Sequence, residues 1–286
     1  MTGALWAAAS GIGFGLFQSI NRLAVRDLDA YVSTFLQVAV AFVVLAAISL
    51  STQDLGELGD ATTWSLVAFA LAGLVHFLAG WTFLNLSQKR IGAARTSPLL
   101  TVTPVFGLAL AALVFGELPS AAALAVVGVI VLGAFLVSSS GPAARLRDAR
   151  FGLACALMWA LSPLLTVEGL DAGLSPLLGV TIGMLASVVA YAVVLGVRGG
   201  VGDVRRGALA AKLVAGVLVA FATWSRWVAL DDAAVGVVLA LNLVSVPIVL
   251  FLAPVLSGRH LEQVTARVWA GATLVVAGSL ALIAVA

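Results

Sequence analysis

Apolar residues run in long unbroken stretches along this chain, with the polar and charged residues falling between them. The stretches lie near 2–21, 30–50, 62–87, 92–115, 119–139, 150–170, 175–197, 207–230, 233–256 and 264–286. Each is about as long as the 20-residue helix that crosses a hydrocarbon core of roughly 30 Å. They are too long and too unalternating for barrel strands, and in lipid a backbone must bond its own N–H and C=O groups. The pattern predicts an all-α membrane protein with about ten transmembrane helices.

Composition agrees. Of 286 residues 62% are hydrophobic and 10% charged, and the mean hydropathy of +1.17 is beyond water-soluble domains. The net charge is +2, but the basic residues are scattered over short connections instead of forming a stripe. That argues against nucleic acid and leaves the lipid bilayer as the surrounding medium. Cys155, the single cysteine, sits in an apolar run, which excludes an intrachain disulfide and a cysteine-based metal site. The N-terminal stretch has no positive leader region and carries Gly11, Gly13 and Gly15, so it reads as a first helix rather than a cleaved signal. If the chain changes side at every crossing, 14 of the 15 Lys and Arg residues fall on one side and Arg226 alone on the other. By the positive-inside rule both termini are then expected outside a plasma membrane that the chain crosses many times.

The second half, slid back by 143 to 145 residues, sets Trp159 on Phe14, Trp224 on Trp81, Pro247 on Pro104, and Arg259-His260 on the turn Gly116-Glu117. Five crossings per half is an odd number, so the second copy enters the membrane with opposite polarity. Residues 1–140 and 150–286 are therefore expected to be two inverted five-helix repeats around a central cavity, joined by a loop at 141–149.

Phe14-Gly15 and Trp159-Ala160-Leu161-Ser162-Pro163 open the halves, and PVFGLALAALVFGELPS occupies 104–120. With these features the whole chain resembles the EamA-type drug/metabolite transporters. The resemblance implies a basket of helices around a path lined by the first, third and fourth helices of each half. It also implies export of amino acids or other metabolites. The chain departs from it in lacking a second Glu at the position matching Glu117, and family members are commonly drawn with cytoplasmic termini.

Candidate site residues are the polar ones inside the spans. His76 lies near the middle of the third span, among small residues; it is either a hydrogen bond to a neighbouring helix or a group that handles substrate or protons. Arg226 shares a face with Ala215, Val219, Ala222 and Thr223, and the repeat superposes that face on the face of His76. Its fork suits a carboxylate or phosphate, though it could also pair with Asp231 or Asp232. Gln18 ends a stripe of Ala7, Gly11 and Gly15, a spacing typical of close helix packing. Ser97, Thr101 and Pro104 share one side of the fourth span, while Asn242, Ser245 and Pro247 occur in the ninth. The prolines are expected to be static kinks or bending points. Trp159 is placed at the cavity, and Trp81 and Trp224 at the membrane interface. The expected substrate-binding set is Gln18, His76, Thr101, Trp159, Thr223, Arg226 and Asn242.

No ATP-binding loop, G-x-S-x-G or H-E-x-x-H occurs, and the spans hold no buried Asp pair. The expectation is a non-enzymatic secondary transporter, an exporter or exchanger of a small polar organic metabolite such as an amino acid. It is expected to act as a monomer without cofactor or metal. The alternatives are a non-transporting structural bundle and a membrane-embedded enzyme.

Overall fold

The computed structural model describes residues 2–115, 120–139, 146–171 and 173–285, with no strand among them. The turn at Gly116-Glu117 and the loop residues 141–145 lie outside that set. Its helices are α1 (Thr2–Val25), α2 (Ala30–Thr52), the short α3 (Glu57–Asp60) and α4 (Thr63–Gly73). A π-helical stretch (Leu74–Gly80) joins α4 to α5 (Trp81–Ile91), followed by α6 (Ala93–Leu100), α7 (Thr103–Phe115) and α8 (Ala121–Ser138). Then come α9 (Leu146–Asp171), α10 (Pro176–Val197), α11 (Arg206–Asp232), α12 (Val235–Asn242), α13 (Ser245–Ser257) and α14 (Ala266–Val285). Among the described residues, nine helical runs are long and apolar enough to cross a membrane, with α4–α5 and α12–α13 each forming one. The remaining expected crossing, 92–115, is present as α6 and α7, interrupted at Thr101 and Val102.

Short polar residues start these helices by bonding N–H groups that have no intrahelical partner. Asp29 Oδ1 accepts from Tyr31 N at 3.0 Å ahead of α2, and Thr62 Oγ1 from Ser65 N at 3.0 Å ahead of α4. Ser120 Oγ accepts from Ala123 N at 3.1 Å ahead of α8. The helices then sort their sides by solvent. Leu5, Leu50, Leu113, Val197 and Val255 stand exposed on the outside, a belt of apolar surface that only lipid would cover. Gln18, Asn21, Gln37, Asn85 and Gln88 are buried inside.

Helix pairing occurs in exchanged partners. α1 packs on α11, α12 and α13, while α9 packs on α4, α5, α6 and α7. α2 meets α11 as α10 meets α4, and α2–α10 and α8–α14 pair with each other. The tightest crossing is between α4 and α10, where a Cβ on Gly73 would stand 2.2 Å from the carbonyl oxygen of Gly183. Only hydrogen fits there.

Two expectations are corrected. Trp81 is not at the membrane interface: it is fully buried against Phe17 and Phe77, at centroid distances of 6.1 and 4.9 Å. The cause is the π-helical stretch, whose i→i+5 bonds add a residue to the turn and rotate everything after it by about 100°. Val67 and Leu71, before that stretch, keep their outward position. Lys212 is not in a connection either. It lies inside α11 and is fully buried, its amine bonded to Asn21 Oδ1 and, at 3.2 Å, to Gln37 Oε1.

Candidate functional site

The helix breaks shape the centre of the molecule. Pro104 has no N–H for the carbonyl of Leu100, and Thr103 Oγ1 takes that carbonyl instead at 2.6 Å. Around the break Thr101 N bonds Pro98 O and Val102 N bonds Leu99 O, both three residues back. The break between α12 and α13 is built alike, with Leu243 N on Ala240 O and Val244 N on Leu241 O, just ahead of Pro247. Backbone freed from a helix at membrane depth is tolerated where it lines a cavity or is buried in protein.

A cavity of about 50 Å³, space for a few waters, lies between these breaks, bordered by α1, α9 and α11. Of the expected residues, Gln18, Thr101, Trp159, Arg226 and Asn242 line it. Ser97, Pro104 and Ser245, from the two polar stripes, line it too, with Phe14, Leu100, Thr103, Leu239 and Leu243. The structure does not bring His76 or Thr223 to this wall. His76 stands behind Trp159, its ring stacked on the indole at 5.3 Å and 8°, with Nδ1 2.7 Å from Ser162 Oγ. Thr223 is buried on α11. Gly80 has no Cβ because one would come within 2.8 Å of Trp159 Nε1, so the small residue beside His76 makes room for the indole.

Four buried polar atoms of the lining have no hydrogen-bond partner: Gln18 Oε1, Ser97 Oγ, Trp159 Nε1 and Arg226 Nη2. Each such group costs about 1–3 kcal/mol unless water or a ligand satisfies it. Arg226 is 4% exposed and has no ion pair among the described residues, so the anticipated pairing with Asp231 or Asp232 is not present. Asn242 is already bonded, accepting from Ser10 Oγ at 3.1 Å and donating to Val238 O at 2.7 Å. The G-x-x-x-G of α1 serves packing, since Gly11 abuts Leu241 O and Gly15 abuts Ile248.

Away from the cavity, near the C-terminal end of α1, sit two clusters that periodicity alone did not single out. Arg22 Nε donates to Glu262 Oε1 at 2.5 Å, and Glu262 also accepts from Ala93 N at 3.1 Å and Ala94 N at 2.9 Å. The carboxylate thus caps α6 as well as holding α1. Beside it, Asn21 Nδ2 donates to Asn85 Oδ1 at 2.7 Å and Gln88 Oε1 at 2.8 Å, extending the bonds of Lys212. Their signal in the sequence is side-chain amides and an amine inside apolar spans.

Helices across a bilayer, interrupted in two places beside a cavity of unpartnered polar atoms, define a multi-pass membrane protein. Residues 1–139 match the model of the EamA-like transporter family. That match, over residues 1–139, is to a transporter family of the drug/metabolite transporter superfamily, the family that the resemblance implied. A crystal structure of another protein superposes with a TM-score of 0.65 at 16% identity, covering 98% of this chain and 99% of that one, a likeness of fold. No curated protein matches the chain by sequence.

Proposed function

We propose that the chain is a secondary transporter of the plasma membrane that exports or exchanges a small polar organic metabolite, of the size and polarity of an amino acid. The path runs between residues 1–140 and 150–286, two inverted five-helix repeats whose rocking opens the central cavity to alternate sides. The carrying observation is the pair of matched helix breaks, at Thr101–Val102 and Leu243–Val244, on opposite walls of a cavity whose polar atoms lack partners. The exchanged helix pairing supports the same reading, because α1 meets α11 as α9 meets α4 and α5. With Lys212 set aside as buried within α11, the charge division of 13 to 1 supports both termini outside.

The test needs no known substrate. Single cysteines at Thr101 and Leu243, in a Cys155→Ala background, are probed in oriented vesicles with an impermeant thiol reagent added from one side or the other. A carrier that alternates exposes each cysteine to both sides, at rates that change in opposite directions when one gate is cross-linked. A cavity reached from neither side rejects transport in favour of a static bundle.

A further inference from the structure

We infer that the cavity selects a small organic monocarboxylate whose second polar group is a neutral hydrogen-bond donor, such as a hydroxyl, in preference to a zwitterion. The inference rests on the transport reading and narrows its substrate. Arg226 brings the only formal charge to the lining; no Asp or Glu lines the cavity among the described residues. A buried guanidinium without a counter-ion is far from its best state, and a carboxylate bonded by its fork supplies the missing charge. The unpartnered Nη2 is the donor that would reach it. Ser97 Oγ, on a residue more than nine-tenths buried, adds a neutral donor for a carboxylate oxygen, while Trp159 Nε1 is turned to Gly80.

Gln18 Oε1 is the one unpartnered carbonyl oxygen in the set, and it calls for a donor on the ligand. An ammonium would find there only neutral oxygens, Gln18 Oε1 and the Ser97 hydroxyl, with Arg226 as a second positive charge in the same small space. A hydroxyl meets the same oxygens without that repulsion. Phe14 and Trp159, with centroids 5.8 Å apart, leave the rest of the wall apolar. At about 50 Å³ the cavity admits the carboxylate and its nearest carbons, so a longer ligand requires a wider state.

Lactate, alanine and lactamide share their size and differ in the charges at issue, so they are the probes. Binding to purified wild-type protein is read by saturation-transfer NMR, with chloride at equal concentration as the inorganic competitor. Lactate is expected to bind roughly tenfold or more tighter than alanine or lactamide, and Arg226→Gln to lose that advantage while Arg226→Lys keeps part of it. Alanine or lactamide binding as well as lactate, chloride competing as well as lactate, or no binding of lactate, would each overturn the inference. The wild-type order decides it even where Arg226→Gln fails to fold. The cysteine-access experiment fails or succeeds separately, so a cavity that opens to both sides without preferring lactate removes the substrate class alone.

Discussion

The imidazole of His76 lies parallel to the indole of Trp159, their centroids 5.3 Å apart, and its Nδ1 bonds Ser162 on the same helix as the indole. His76 is thus outside the cavity wall and stacks on Trp159, which belongs to it. It sits in the π-helical stretch, whose extra residue turns it toward α9, and such stretches recur at functional sites.

A positioning role predicts a graded result at His76. His76→Leu removes both the stack and the Ser162 bond and lowers binding at the cavity, while expression and monodispersity stay near wild type. His76→Phe keeps the stack, worth about 0.5–1.5 kcal/mol, and retains more of the binding. Equal loss in both variants would argue for a direct contact by the imidazole instead.

Arg22 and Glu262 form a buried ion pair, with side chains 8% and 1% exposed. Removing one partner leaves a buried charge, so Arg22→Ala is expected to cost about 3–5 kcal/mol in unfolding free energy. Glu262→Ala also uncaps α6 and is expected to cost more. A double-mutant cycle read by denaturant unfolding in detergent checks both, and independent additive losses would contradict the pair.

Much of this molecule is legible from hydrophobic pattern, because lipid enforces one rule on every crossing residue. The expected crossings at 30–50 and 175–197 agree closely with α2 and α10, and the inner face containing Val219 and Thr223 is buried as expected while Phe221 faces out. Trp81 escaped because a π-helical turn leaves no mark in periodicity read at a fixed 100° per residue. Thr103 and Leu239 in the cavity, and Glu262 at the cap of α6, depend on where helices break and which loop folds back. Those are tertiary facts.

The α4–α10 crossing predicts a steep penalty at one glycine and none at another. Gly73→Ala puts a methyl 2.2 Å from Gly183 O and must push two backbones apart, for a loss of about 3 kcal/mol or more. Gly128→Ala, where nothing lies within 4 Å, is expected to be neutral or stabilising by up to about 1 kcal/mol. Thermal unfolding of the two variants side by side reads the contrast, and equal behaviour would refute the crossing.

The charge division predicts an orientation with both termini outside. A cysteine placed at Glu57 should react with impermeant reagent on intact cells, and one at Arg147 should not. The reverse pattern would put both termini in the cytoplasm.

Asn21 is the hub of the buried network, and that position sets the order of damage. Its Oδ1 accepts from Lys212, and its Nδ2 serves Asn85 and Gln88. Asn85 in turn donates to Thr34 Oγ1 at 2.7 Å, and Gln88 to Gln18 O at 3.3 Å. Lys212→Met deletes the amine and strands two neutral acceptors, Asn21 Oδ1 and Gln37 Oε1. Asn21→Ala strands Asn85 Oδ1 and Gln88 Oε1 and also leaves the buried amine with Gln37 alone. At about 1–3 kcal/mol per orphaned group, and more for a charged one, Asn21→Ala is the worse variant although it removes the smaller side chain. Adding Lys212→Met to Asn21→Ala should then recover stability, because the amine that lost its partner is gone. Denaturant unfolding of the two single variants and the double in detergent measures this. A double variant less stable than Asn21→Ala would mean that Lys212 stabilises the fold through contacts other than this network.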